Sequence, residues 1–141
     1  MRIATWNVER PAPKQALKNY ARLEKIREIN ADIWILTETH EVIDLSATHY
    51  GAATKPSARK PRPGEYCAAV WSRWPALRCI ETADPTEAVC VEVAHPDCPL
   101  LVYGSIIPWD GCKGPDGNSP KWGEHYRYIE WHRRDWLRLR H

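Results

Sequence analysis

Two polar side chains, Asn7 and Glu38, follow short apolar runs that have the length and β-branched character of buried strands. An amide or a carboxylate at such a position needs a partner, because an unpaired buried polar group is costly. A hard divalent cation, Mg²⁺ or Mn²⁺, would satisfy both, since Mg²⁺ takes oxygen ligands and uses one or two carboxylates together with water and phosphate. The alternative is an Asn in a strand-end turn and a Glu that points to water, and spacing alone favours that alternative.

The segments around these two residues predict a strand–helix–strand unit. Its parts are a strand at residues 3–8, a helix at 14–29 and a strand at 33–36. Pro13 suits the first turn of the helix, and Asn30 suits a left-handed stop. A crossover this short favours parallel strands, whose carboxyl ends meet at the sheet edge where α/β proteins bind ligands. We therefore expect Asn7 and Glu38 at one edge.

The rest of the chain predicts short strands followed by one helix. Strand-like runs occupy residues 66–72, 77–81, 88–94 and 100–107, and a helix-like segment occupies 124–140. Their close spacing predicts a largely antiparallel continuation of the sheet. The predicted fold class is α/β (α+β), with a mixed sheet and flanking helices. The 141 residues suit one domain, and no internal repeat or boundary divides them.

Charge is modest overall but clustered. The formal net charge of +2 is too small to argue for nucleic acid by itself. The basic clusters comprise Lys55, Arg59, Lys60 and Arg62, then Arg133, Arg134, Arg138 and Arg140. Such clusters can attract phosphates, so a non-catalytic nucleic-acid-binding module is an alternative function, whereas the simpler interpretation is a solvated loop and helix face.

The cellular location can be predicted from the absence of membrane, signal-peptide and disulfide patterns in the sequence. No stretch approaches the roughly 20 apolar residues of a membrane helix, and the N-terminus has no signal-peptide pattern. The five cysteines are widely spaced with no C-x-x-C, which argues against a zinc knuckle or a disulfide framework. These features predict a cytoplasmic protein with no membrane association.

Several motifs, taken in order, resemble those of the endonuclease/exonuclease/phosphatase superfamily, which has the DNase I-like fold. They are Thr5-Trp6-Asn7, Ala31-Asp32-Ile33 leading to Glu38, Ser72-Arg73-Trp74-Pro75, the run from Val102 to Trp109, and the run from Trp122 to Leu137. The resemblance covers essentially the whole chain. It implies the N-terminal part of a two-sheet sandwich, a Mg²⁺-dependent phosphoesterase or nuclease-like activity, and catalytic, metal-binding roles for Asn7 and Glu38.

Two further residues are candidate substrate contacts. His40 follows Glu38 by two residues, and it either lines the same site as Glu38 or is a histidine of a surface loop. Arg73 either contacts a phosphate or closes a strand end, and the second interpretation is favoured. Many nucleases of the family carry a Tyr or His that points at the phosphate near the position of Ile106, which is apolar here. Tyr103 lies nearby but out of register with that position, which favours a packing role over a phosphate contact.

The family pattern continues with a strand followed by G-D-x-N and later a D-H pair, which act on the nucleophile, the transition state and the phosphate. Neither occurs here, and Asp116-Gly117-Asn118 follows Pro115 in a turn-rich loop rather than a strand. We therefore expect a truncated domain that is inactive alone and needs a C-terminal half or a partner chain. A phosphate ester is the implied substrate; nucleic acid, lipid and small molecules all stay open.

Overall fold

The computed structural model describes residues 1–56, 62–113, 117, 118 and 120–140. Its strands and helices are, in chain order, β1 (Ile3–Asn7), α1 (Ala16–Ile29), β2 (Ile33–His40), β3 (Tyr50–Ala53), β4 (Glu65–Ser72), β5 (Ala76–Ile80), β6 (Ala88–Val93), β7 (Leu100–Ser105) and α2 (Gly123–Leu139). A short 3-10 turn that starts at Pro13 leads into α1. The strand β2 extends four residues beyond its predicted end, so Glu38 lies inside the strand rather than after it.

The strands form two sheets. The first sheet has the order β1-β2-β4-β3, with β1 and β2 parallel and the other pairs antiparallel. The second sheet has the order β5-β6-β7 and is antiparallel throughout. The predicted parallel unit is confirmed. The later strands are antiparallel as predicted, but β5, β6 and β7 form a separate sheet rather than a continuation of the first.

The strand β3 is not among the strands predicted from the sequence. Its sequence, YGAA, contains Gly and Ala, which are depleted in strands. Gly51 is required because a Cβ there would lie 2.7 Å from the ring of Trp71 on β4. Cross-strand packing, rather than local propensity, therefore determines this strand.

The helix α1 packs on the outer face of the first sheet. A hydrophobic core lies between the helix and the sheet, and its buried members are Val8, Ile26, Ala31, Trp34, Leu36, Ile43 and Leu45. The helix ends at Asn30, whose φ of 52° is left-handed and whose N–H donates to the carbonyl of Ile26. The predicted helix stop is confirmed.

A second core lies between the two sheets. It consists of Ile33, Ala68, Val70, Val89, Val91, Val93 and Val102. The sheets approach closely at Gly104 on β7, where a Cβ would lie 3.1 Å from Val70 and 3.2 Å from Ile35. The result is a two-sheet sandwich with α1 outside one sheet and α2 outside the other.

The inner face of β1 is not covered by the second sheet. Ile3 is paired in register with Ile33, so both side chains point toward the second sheet. Ile33 is fully buried, yet Ile3 is 55% exposed. Within the described residues, the second sheet therefore leaves the inner face of β1 uncovered at Ile3.

Among the described residues, neither helix has the length and apolar character needed to cross a bilayer.

Candidate active site

The structure brings Asn7 and Glu38 to the same edge of the first sheet. Asn7 is the last residue of β1, and its partner in the parallel register is Thr37. Glu38 is the next residue along β2. The side chain of Asn7 is exposed, and that of Glu38 is 27% exposed.

The backbone is strained where these residues meet. Glu9, Arg10 and Glu38 have φ values of 56°, 49° and 48°. These values lie in the left-handed region, which is unfavourable for residues other than glycine. A backbone hydrogen bond of 2.7 Å from the N–H of Arg10 to the carbonyl of Glu38 ties the two strained segments together. Each left-handed residue costs on the order of 1 kcal/mol, and such strain is concentrated at functional sites.

The amide of Asn7 organises the turn that follows β1. Its Oδ1 accepts a hydrogen bond of 2.9 Å from the N–H of Glu9. This contact fixes the amide oxygen and helps to hold the strained residues that follow. The oxygen retains a second lone pair that can accept another ligand.

Glu65 is a further acidic residue at this edge that the sequence reasoning did not identify. It begins β4, opposite His40 in the antiparallel register, and its side chain is 17% exposed. The guanidinium of Arg10 contacts both carboxylates, with Nε 3.6 Å from Glu38 and Nη1 3.4 Å from Glu65. The position of Glu65 directly after Gly64 is a sequence feature that could have marked it as a strand-end carboxylate. Only the pairing of β2 with β4 shows that it lies near Glu38.

Few groups at this edge could hold a hard cation. They are the carboxylates of Glu38 and Glu65 and the amide oxygen of Asn7, all of which are oxygen donors. In the part of the chain that the structure describes, no three His, Cys, Asp or Glu side chains group to hold a metal ion. Mg²⁺ suits such a site, because it keeps several waters and often needs only one or two carboxylates.

His40 lies at the same edge but is buried, with 6% of its surface exposed. Its Nδ1 accepts a hydrogen bond of 3.1 Å from the N–H of Val42, which leaves the proton of the neutral ring on Nε2. A Cβ on Gly64 would lie 2.7 Å from the His40 ring, so the glycine makes room for the imidazole. The ring therefore packs beside the edge, and its contact with substrate stays a prediction.

Arg73 is not brought together with the other candidates. It follows Ser72, which pairs with Ile33 at the opposite end of β2 from Glu38. Its guanidinium lies 3.4 Å from Asp32 and donates to the side chain of Asn30. These contacts close the strand end, so Arg73 does not belong to the edge that carries Glu38.

Cys67, on β4 near the same edge, is not a nucleophile. Burial and the neighbouring Glu87 carboxylate raise the pKa of its thiol to about 12. The thiolate is the reactive form of cysteine, and at neutral pH it is essentially absent here. Burial and this charge therefore disfavour a nucleophilic role for Cys67.

A separate buried polar cluster joins α2 to the second sheet. Asp135 is 3% exposed and accepts hydrogen bonds from the N–H of Ala83, at 2.9 and 3.1 Å, and from the hydroxyl of Tyr103 at 2.8 Å. His132 is buried beside them, and no described residue hydrogen-bonds to either ring nitrogen. Burial lowers the pKa of His132. Tyr103 thus belongs to the packing of α2, away from Glu38.

Four members of the basic clusters are ion-paired in the structure. Ion pairs join Arg62 to Glu65, Arg133 and Arg134 to Glu130, and Arg138 to Asp135. Arg59 and Lys60 lie outside the described residues, as does Asp116 of the D-x-N run. The alternative of a basic binding module stays a prediction.

Comparison with known proteins gives structural matches only. No protein-family profile matches the sequence, and neither does any curated protein. The endonuclease domain of TRAS1, a telomere-specific non-LTR retrotransposon, is 16% identical with a TM-score of 0.58, over 94% of this chain and 52% of that one. Sphingomyelinase C from Streptomyces griseocarneus is 14% identical with a TM-score of 0.59, over 92% and 56%.

An endonuclease/exonuclease/phosphatase family protein from Leptotrichia buccalis C-1013-b is also similar. It is 13% identical with a TM-score of 0.56, over 92% of this chain and 61% of that one. At these identities the likeness is one of fold. The chain thus has the DNase I-like sandwich fold of endonuclease/exonuclease/phosphatase structures, and it spans about half the length of the solved proteins it matches.

Proposed function

We propose that this chain supplies the cation-holding half of a Mg²⁺-dependent phosphoesterase or nuclease site. The observation that carries the proposal is the edge itself, where strained backbone holds Glu38 beside Asn7 and a second carboxylate. The fold supports it, because the structural neighbours include an endonuclease and a sphingomyelinase. A phosphate ester, nucleic acid included, is therefore the substrate class.

Each residue has a defined role in this proposal. Glu38 would hold the cation directly, and Asn7 would hold it through its amide oxygen or position a cation-bound water. Glu65, the second carboxylate, would strengthen the negative potential at the edge. When bound, Mg²⁺ supplies polarisation of the phosphoryl oxygens and neutralisation of the charge that develops on them.

We further propose that the active domain needs additional polypeptide over β1. The exposed inward-facing Ile3 supports this, because an apolar side chain on the inner face of a sandwich is normally covered. The same region would have to supply a group that activates water. Among the residues that the structure describes, we assign none to that role.

Cation binding tests the assignment of Glu38. Titration of the purified chain with Mn²⁺, with free ion measured by electron paramagnetic resonance, should show a weak site. Glu38→Gln should abolish it, because the amide removes the anionic ligand. Glu28→Gln, on the exposed surface of α1, is the matched control and should bind normally. Equal binding by the Glu38→Gln variant and the unmodified chain would refute the assignment.

Hydrolysis tests the need for additional polypeptide. The chain is assayed with DNA, RNA and bis(p-nitrophenyl) phosphate in Mg²⁺, with and without EDTA. We expect no turnover above background from this chain alone. Robust turnover that EDTA removes would contradict that requirement, while leaving the role of Glu38 to the binding assay.

A further inference from the structure

Arg10 already places a positive charge beside the candidate cation ligands. Its guanidinium lies 3.6 Å from Glu38 and 3.4 Å from Glu65, and its side chain is half exposed. One guanidinium therefore contacts two carboxylates, of which Glu65 has a second basic partner in Arg62. Glu38 is the carboxylate that would hold a divalent cation at this edge.

The backbone keeps Arg10 at this position. Glu9 and Arg10, two and three residues after the end of β1, both have left-handed φ values. The N–H of Arg10 donates to the carbonyl of Glu38 at 2.7 Å, so main chain and side chain both contact the same residue. Such an arrangement limits how far the guanidinium can move from Glu38.

We propose that Arg10 is an internal counter-ion that competes with a divalent cation for Glu38, an inference that rests on the proposed function. A guanidinium and a dication bind the same carboxylate and repel each other, so binding of one disfavours the other. When a dication displaces the guanidinium of Arg10 from Glu38, the N–H donors that contacted this carboxylate become free at the same edge. The planar fork of the guanidinium suits a phosphate, so an anionic substrate would favour the displaced form.

Arg62 provides a matched comparison within the same edge. It is also exposed and basic, but its ion pair is with Glu65 alone, at 3.2 Å. If general positive charge weakened cation binding, Arg10 and Arg62 would act alike. If competition for Glu38 is responsible, only Arg10 should matter strongly.

The test is Mn²⁺ affinity, measured on the full chain by titration with detection of free ion. Arg10→Gln should lower the Kd about three- to tenfold, as expected for the removal of a half-exposed charge next to a bound dication. Arg10→Lys, which keeps the charge, should stay near the unmodified value, and Arg62→Gln should stay within about twofold. High salt should reduce the Arg10→Gln effect by screening.

Arg10→Gly is a second variant, because it removes the charge and also relieves the left-handed backbone. It should bind Mn²⁺ more tightly as well, and circular dichroism checks that each variant is folded. An unchanged or higher Kd in both Arg10→Gln and Arg10→Gly overturns the competition. Loss of binding in Glu38→Gln alone would still support the proposed site in that case. Absence of any Glu38-dependent binding overturns both.

Discussion

The left-handed backbone at Glu38 leads to a stability prediction that runs against the usual rule for strands. Glycine in a strand is normally less stable than alanine, by roughly 0.5–1 kcal/mol. At Glu38, with φ of 48°, we expect the reverse order. The comparison is between Glu38→Gly and Glu38→Ala, since both remove the carboxylate and its ion pair with Arg10.

The expected magnitude follows from two opposing terms. A side chain with a Cβ costs roughly 1–2 kcal/mol in the left-handed region, and both Glu and Ala carry that cost. Glycine escapes it but loses about 0.5–1 kcal/mol more backbone entropy on folding. Glu38→Gly should therefore be more stable than Glu38→Ala by about 0.5–1 kcal/mol, or roughly 2–3 °C in Tm for a domain of this size.

Urea unfolding followed by tryptophan fluorescence measures the difference, since the chain has eight tryptophans. Thr37, the neighbouring strand residue, is the control, because its φ is not among the positive values of the described residues. There, Thr37→Gly should be less stable than Thr37→Ala. If glycine is also the less stable variant at Glu38, the reasoning about stored strain is wrong.

Three further predictions concern the packing of the two sheets and α2. Asp135→Ala should lower the free energy of unfolding by about 3 kcal/mol, because the N–H of Ala83 and the hydroxyl of Tyr103 each lose a hydrogen bond to a carboxylate; a loss below about 1 kcal/mol in urea unfolding would contradict this. Ile33→Ala should cost about 2–5 kcal/mol, whereas Ile3→Ala should cost less than about 1 kcal/mol, since only Ile33 is buried; equal losses would show that the inner face of β1 is covered. Burial lowers the pKa of His132 in the folded protein, despite the opposing effect of two nearby aspartates, so its contribution to stability is complete above the unfolded pKa of about 6.5 and is lost as the pH falls below it. His132→Leu should therefore reduce the change in urea midpoint between pH 7.5 and pH 5.5, and an unchanged difference would exclude His132 as a cause.

Much of the fold was readable from local sequence. The strand–helix–strand unit, the helix stop at Asn30 and the antiparallel pairing of the later strands all follow from periodicity and from residues with special backbone preferences. The predicted strand ends were less accurate, because β2 runs on to His40 through polar residues. The extension is a strand because its backbone pairs with β4, and the polar residues of the extension do not indicate that pairing.

The sequence by itself determined that Asn7 and Glu38 share one sheet edge, because parallel strands joined by a short helical crossover end on the same side. Only the tertiary structure decided the other members of that edge. Glu65 is placed there by the antiparallel register of β4, whereas Arg73, which follows the last residue of that strand, lies at the opposite end. The physical reason is that register between distant strands is set by core packing across the whole sheet, and the left-handed backbone at Glu38 is stable only because those contacts hold it.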